Sequence, residues 1–575
     1  MYSWGRSSPG RSSPPGRRAG VQGIPPWTPT AGCWGYNTAR YILAHDLGTS
    51  GNKGSLFSLD GGLTASALYE YPVLYPRPGW VEQDPEELYR AVCVSTRELL
   101  EKAKVRPSDI AALCFSGQMM GCLLVDSRGL PLRNLITWAD TRAGSQAAEM
   151  EKILGMERVY RITGHRISAS YSAAKLLWVR EHEEDIYRRA AKMFQAKDYI
   201  VFRLTGAQLT DYSDAGGTNL FDINSLRWSG EIVRDLGIPP NLLPEPLPST
   251  ARAGSLGVRG AAETGLLEGT AVILGGGDGS CACAGAGVTA EGSSYAALGS
   301  SAWISMAGKR PLFDERMRTF NWVHLDGSLY TPCGTMQAAG FSYNWYRNTL
   351  CAAEAGAARE RGLGSYALID EGVRSSPPGA GGLLYLPYLL GERSPRWNHD
   401  ARGVFAGLQL NTAKGDISRA ILEGVGFNMK LILEILESNI RQPEQAGVPG
   451  GAAEAGGTAS SNTGASPRDP ITVIGGGARG ETWLRILADI WQRPLAVPVH
   501  TEDATSLGAA VCGGIGIGAF TDFSAARRFN PPLKTIEPRQ DLAEPYGRLY
   551  EIFNKAYDQL TGVFGDLAEY RRLYS

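Results

Sequence analysis

Two short apolar runs, Tyr41-Ile-Leu-Ala-His-Asp46 and Ser55-Leu-Phe-Ser-Leu59, open the periodic part of the chain. Both read as strands, joined by the glycine-rich hairpin Leu47-Gly-Thr-Ser-Gly-Asn-Lys-Gly54. Asp84-Pro-Glu-Glu-Leu88 then sets a capping aspartate and a first-turn proline before a helix running to about Lys104. Ile110-Ala-Ala-Leu-Cys-Phe115 and Gly121-Cys-Leu-Leu-Val125 return to strand. Ala297-Leu-Gly-Ser-Ser-Ala-Trp-Ile-Ser305 repeats the logic of the first hairpin: strand, Gly-Ser turn, strand. Near the end, Pro470-Ile-Thr-Val-Ile474 reads as a buried strand, followed by a glycine turn and a helix ending near Gln492. These alternations define an α/β class, and the echo between the two hairpins predicts a duplicated domain with a cleft between its halves.

Two stretches break the pattern. Residues 1 to 40 hold Arg6, Arg11, Arg17, Arg18 and Arg40 among many Ser, Pro and Gly, with no Asp or Glu, and are expected to be a disordered N-terminal extension. A transit peptide shares that composition, but Pro14, Pro15, Pro25, Pro26 and Pro29 oppose the amphipathic helix such a signal needs. Residues 442 to 468, rich in Gly, Ala and Ser, read as an exposed loop insertion.

Composition narrows the class. A chain of 575 residues exceeds what one core usually supports, so two domains are expected. A net charge of -1 argues against nucleic acid or an anionic membrane as partner. No run of about eighteen apolar residues suggests a membrane-spanning helix. Nine cysteines are scattered, and Cys281 and Cys283 lack the second pair that a zinc site needs. They read as reduced core residues of a cytoplasmic protein.

The turns carry the candidate chemistry. In Gly48-Thr-Ser-Gly51 and Gly299-Ser-Ser301, backbone N–H groups can converge on an anion without Cβ obstruction, and the hydroxyls add donors; a purely structural tight hairpin is the alternative. Asp46 precedes the first turn, and a carboxylate beside phosphate donors is repulsive unless a divalent cation lies between them, which implies Mg²⁺ with a nucleotide. Gly475-Gly-Gly477, at a strand-to-helix turn, would let a flat ring approach the backbone, although it matches neither a Walker A loop nor a dinucleotide fingerprint, and a βα turn packed for structural reasons is the alternative. Asp278 stands alone among glycines, alanines and two cysteines at the end of an apolar strand.

Taken in order, Asp46-Leu-Gly-Thr-Ser-Gly51, Ser116-Gly-Gln-Met-Met-Gly121, Trp138-Ala-Asp-Thr-Arg142, Thr210-Asp-Tyr-Ser-Asp-Ala215, Gly275-Gly-Gly-Asp278, Leu298-Gly-Ser-Ser301, Tyr385-Leu-Pro-Tyr-Leu-Leu-Gly-Glu-Arg-Ser-Pro395 and Gly475-Gly-Gly-Ala478 resemble the FGGY carbohydrate kinases. Within them the chain is most similar to the xylulokinases, over residues 41 to 562 without the insertion. The resemblance implies two ribonuclease H-like, actin-like ATPase domains, residues 41 to 284 and 285 to 575, closing a catalytic cleft on ATP and a sugar. It implies Asp278 as catalytic base and Asp46 as the aspartate that positions Mg²⁺ through water. Thr49, Ser50, Gly51, Lys53 and Ser300 fall at its phosphate positions, and Gly340, Asn344, Gly476 and Gly477 at its nucleotide positions. Gln118, Met119, Met120, Trp138 and Asp140 join Asp278 on the sugar side. The implied reaction is phosphorylation of D-xylulose to D-xylulose 5-phosphate, by a protein whose oligomeric state stays open, a homodimer among the possibilities.

Asp278 suits that chemistry: phosphoryl transfer needs positioning and charge neutralisation, plus a carboxylate to take the proton of the attacking hydroxyl. Burial would raise its pKa and Mg²⁺ would lower it. Two departures bear on the sugar. Met120 stands where xylulokinases show His, and Gly279 where they show Asn, so two polar contacts to sugar hydroxyls are gone. Another ketose or a polyol is the alternative acceptor, and a non-catalytic nucleotide-binding sugar sensor the alternative of another class. His45 reads as a packed neighbour, Asp211 and Asp214 as structural or sugar-contacting, and Glu181-His-Glu-Glu-Asp185 as a solvated helix end.

Overall fold

Five of the seven residues of Tyr41–Leu47 (β1) are buried, so the strand is covered on both faces and reads as a continuous apolar run. The structure, a computed structural model, describes residues 40–441 and 469–574. The 442 to 468 insertion lies outside the described residues, as does the N-terminal extension apart from Arg40.

β1 pairs antiparallel with Gly51–Ser58 (β2), which pairs with Leu63–Glu70 (β3). The turn between β1 and β2 is shorter than the sequence suggests: only Gly48, Thr49 and Ser50 are outside the ladder, and Lys53 lies within a strand. On its other edge β1 runs parallel to Ile110–Gly117 (β4), and Arg252–Ser255 (β5), Ala271–Ile273 (β6) and Gly276–Gly277 (β7) complete a sheet of order β5-β6-β4-β1-β2-β3, with β7 beside β4. Helix α1, Pro85–Ala103, starts as predicted: Asp84 accepts the Glu86 N–H and Pro85 fills the first turn. It ends at Lys104 in the left-handed conformation. The expected strand from Gly121 shortens to Leu123–Val125 and leaves the main sheet for Lys192–Phe194. Ser172–His182 (α2) and Ala196–Thr205 (α3) follow.

The second sheet repeats the plan. Ser294–Leu298 (β8) and Ala302–Met306 (β9) form the echoed hairpin, joined to Phe320–Val323 (β10), Tyr330–Met336 (β11), Ile471–Ile474 (β12), Leu495–Pro498 (β13) and Pro532–Ile536 (β14) in the order β10-β11-β9-β8-β12-β13-β14. β8 is antiparallel to β9 and parallel to β12, as β1 is antiparallel to β2 and parallel to β4. The repeat read from two short turns is thus a repeat of sheet topology, with β10 as an added edge strand.

Asp278 corrects the sequence reading. It opens a helix, α4 (Asp278–Gly285), instead of ending a strand. Gly340–Leu350 (α5), Lys414–Arg441 (α6), Glu481–Trp491 (α7), Ala504–Gly516 (α8) and Ala543–Tyr574 (α9) complete the helices used below. α8 lies in sequence between β13 and β14 of the second sheet yet packs on β1, β4 and α4, sharing a core of Ile42, Ala44, Cys114, Ile273, Cys281 and Leu507. The α4–α8 approach is backbone to backbone: a Cβ on Gly285 would sit 1.7 Å from the Ala504 carbonyl oxygen, and one on Gly508 would sit 2.0 Å from that of Cys281. Only glycine fits either position, and the helix that starts at Asp278 is thereby clamped. The eight described cysteines are buried free thiols. Among the described residues no helix is long and apolar enough to cross a membrane.

Candidate active site

Sheet register brings the two aspartates to one place. Asp46 on β1 lies opposite Ser116 on β4, and Ser116 lies opposite Gly276 on β7, two residues before Asp278. The Ser116 hydroxyl donates to Asp46 Oδ1 at 2.9 Å. Asp46 is half-buried, and burial raises its pKa, against the opposing pull of Ser116 and Lys53. Asp278 opens to the cleft, its Oδ1 accepting the Gly279 N–H at 2.7 Å. Desolvation by the surrounding protein, with the charge of Asp46, pushes its carboxyl up to about 7. Two mutually repelling carboxylates, with Lys53 acting on Asp46 alone and itself paired with Asp503, fit a divalent cation held by carboxylate and phosphate oxygens.

The residues expected on the nucleotide side converge. Gly340 N–H donates to the Gly299 carbonyl at 3.0 Å and Phe341 N–H to that of Ser300 at 2.9 Å, so the β8–β9 turn sits against the start of α5. Gly475 and Gly477 press on Leu298, at the end of β8. Gly476 and Ser300 are exposed, while Asn344 uses its side-chain oxygen to accept from Arg347 and Asn348. Lys53 ties the halves together. It pairs with Asp503 and donates to the Glu502 carbonyl at 3.3 Å, beside Thr501, whose carbonyl holds the Gly475 N–H. Thr49, Ser50 and Gly51 stand at the opposite turn.

The residues expected on the sugar side form a wall. Met119, Met120 and Tyr171 bury together, with Trp138 and Trp322 packed against them. A Cβ on Gly277 would sit 2.4 Å from Met119 Sδ, so this wall abuts the backbone leading into Asp278. From the second sheet, Val323 accepts the Ser280 hydroxyl at 2.8 Å and fixes Trp322 next to α4. Trp138 donates its indole N–H to Thr49 Oγ1 at 3.0 Å, joining the wall to the phosphate turn. Gln118 donates to Gln83 Oε1 at 2.6 Å, and its own side-chain oxygen has no partner among the described residues. Asp140 stands apart from the set: it is fully buried, and its carboxylate is taken by the Val81 and Arg142 N–H groups and the Arg142 guanidinium. Its geometry is that of a structural ion pair.

Other residues matter without having stood out in the sequence. Gly277 N–H donates to Ser213 Oγ at 2.9 Å, and that hydroxyl donates to Asp211 Oδ2 at 2.5 Å, which also accepts Ser249 at 2.7 Å. Lys197 lies in the same buried cluster, 2.7 Å from Asp198, 3.1 Å from Asp211 and 3.5 Å from Asp214. Three carboxylates against one ammonium leave a surplus of negative charge. Burial accordingly raises Asp214 well above the usual carboxylate range. Asp211 and Asp214 thus brace the backbone behind Asp278. His45 is a packed neighbour, stacked on Phe115 and bonded to Thr96 and Asn52, with burial lowering its pKa to about 3.

Two repeated sheets, facing turns rich in small hydroxyl residues, and an open carboxylate beside an aromatic wall define a phosphoryl-transfer enzyme of the two-domain, actin-like class. The comparisons agree. Residues 41–285 match the N-terminal domain, and residues 294–517 the C-terminal domain, of the FGGY family of carbohydrate kinases. The chain belongs to that family and is a carbohydrate kinase. It is 32% identical over 536 residues to the xylulose kinase of Bacillus subtilis, covering 93% of this chain and 100% of that protein. It is 28% identical over 532 residues to the gluconokinase of the same species, covering 92% and 98%. The crystal structure of xylulose kinase from Rhodospirillum rubrum superposes with a TM-score of 0.80 at 29% identity, covering 92% of this chain and 100% of that one.

Proposed function

We propose that this kinase transfers the γ-phosphoryl group of ATP to a hydroxyl of D-xylulose, giving D-xylulose 5-phosphate. The observation that carries the reading is the placement of Asp278: an exposed carboxylate two residues beyond Gly276, which shares a register line with Asp46 through Ser116, and next to Gly277, whose backbone abuts the wall of Met119, Met120 and Trp138. Mg²⁺ bound with ATP would supply charge neutralisation at the phosphate oxygens. Asp46 would hold that ion through water, with Ser116 fixing the carboxylate. Thr49, Ser50, Gly51 and Ser300 would orient the phosphates, and Gly340, Asn344, Gly476 and Gly477 the nucleoside. Asp278 accepts the proton of the attacking hydroxyl as the new O–P bond forms and the bond from the γ-phosphorus to the bridging oxygen of ADP breaks, ADP being the leaving group. The division at residues 284 and 285 separates the sugar-side half from the nucleotide-side half, and the free buried thiols support a cytoplasmic setting.

A second reading, an acceptor other than D-xylulose, is favoured by Met120 and Gly279, which offer the sugar no side-chain hydrogen bond. A gluconokinase among the relatives supports the same reading. ADP release measured with D-xylulose, other ketoses, gluconate and polyols separates the readings. The proposal expects D-xylulose to give a kcat/KM about tenfold or more above the rest. A higher value for any other acceptor overturns it.

A further inference from the structure

The wall residue Met120 has a left-handed backbone, φ 65°, which a side chain bearing Cβ adopts only when its surroundings impose it. Helix α2 contacts that backbone directly. Lys175 is completely buried, and its ammonium donates to the Met120 carbonyl at 2.7 Å and to the Ser170 carbonyl. Among the described residues no carboxylate comes within 4.0 Å of that ammonium. Three residues earlier on the same helix, the Ser172 hydroxyl donates to the Gly121 carbonyl at 2.8 Å. Gly217 packs close to the same residue: a Cβ there would sit 3.3 Å from Met120 Cγ and 3.4 Å from its backbone nitrogen. A buried ammonium is expensive unless its hydrogens are used, and here they are used on main chain alone.

We propose that Lys175 is a positioning residue for acceptor recognition: together with Ser172 it locks the Met120–Gly121 elbow in the strained conformation that aims Met120 into the sugar pocket. This rests on the reading of that pocket as the sugar site. Specificity at position 120 then belongs to two elements at once, the side chain that faces the sugar and the helix that fixes its backbone. Lys175→Met keeps the length and apolar stem while removing the donor. It is expected to raise the KM for the acceptor about tenfold, leave the KM for ATP within about twofold, and flatten the ranking among acceptors. Ser172→Ala, a gentler cut at the same elbow, shifts the acceptor KM in the same direction by about threefold. It carries the test if Lys175→Met does not fold. Acceptor and ATP parameters that move in equal proportion, or an acceptor KM that stays put in whichever variant folds, overturn the proposal. A wild-type enzyme that phosphorylates no sugar would instead overturn the pocket's assignment, a result distinguishable because it appears before any substitution is made.

Discussion

At the scale of single residues, Asp278 sets the strictest expectations. Its carboxyl must be ionised to take a proton, so kcat/KM for the sugar should rise with pH and level off above about 7 in wild type. A flat profile between pH 5 and 8 in a steady-state ADP assay, conditions that bracket about two decades of proton activity on the acid side, would remove Asp278 from the base role. The same shift has a stability consequence. A folded-state pKa raised above the ordinary 3.8 means the fold favours the protonated acid, so stability is fully present below 3.8 and is lost as pH climbs toward 7. Asp278→Asn should therefore melt higher than wild type at pH 8, by about 2 °C, while losing phosphoryl transfer. Asp278 and Asp46 were legible as lone carboxylates beside glycine turns. Lys197, Ser213 and Lys175 were not, because their partners lie on other elements: Lys197 meets Asp211 and Asp214 through packing that no local spacing encodes.

At the scale of elements, the clearest test is the contact between the β8–β9 turn and α5. A Cβ on Gly340 would sit 2.4 Å from the Gly299 carbonyl oxygen, so Gly340→Ala must push the turn away from the helix. The expected result is a KM for ATP raised about tenfold, with acceptor KM little changed, read from initial rates at saturating co-substrate. The brace behind Asp278 predicts a different split. Ser213→Ala breaks the Gly277–Ser213–Asp211 chain and should lower kcat about tenfold while both KM values hold, since it moves the base and not the pockets. Lys197→Met strips the cation from three buried carboxylates and should destabilise the fold by about 3–5 kcal/mol in urea titration. Element types were legible where local chemistry is strong, as with Asp84 and Pro85 at the start of α1. Boundaries failed at glycines: Gly51 and Gly54 suggest a loop but sit in β2, because the neighbouring β1 and β3 supply ladder partners whatever the local preference.

For the whole molecule, the duplicated sheets and the Lys53–Asp503 tie make catalysis a property of two halves meeting. The repeat was visible in the sequence as two similar turns, yet the passage of α8 back onto the first sheet was not, since the apolar, glycine-rich run Ala504–Gly516 packs equally well against either sheet in the abstract. The account stands on one arrangement, an acceptor hydroxyl and a γ-phosphate brought together at Asp278. ADP release with D-xylulose, measured for wild type and Asp278→Asn alongside calorimetric binding of ADP to both, tests it most directly. The prediction is sugar-dependent ADP release in wild type, a loss of about 10²–10⁴-fold in the variant, and ADP affinity unchanged between them. Full activity in Asp278→Asn, or ADP release indifferent to sugar, would contradict it.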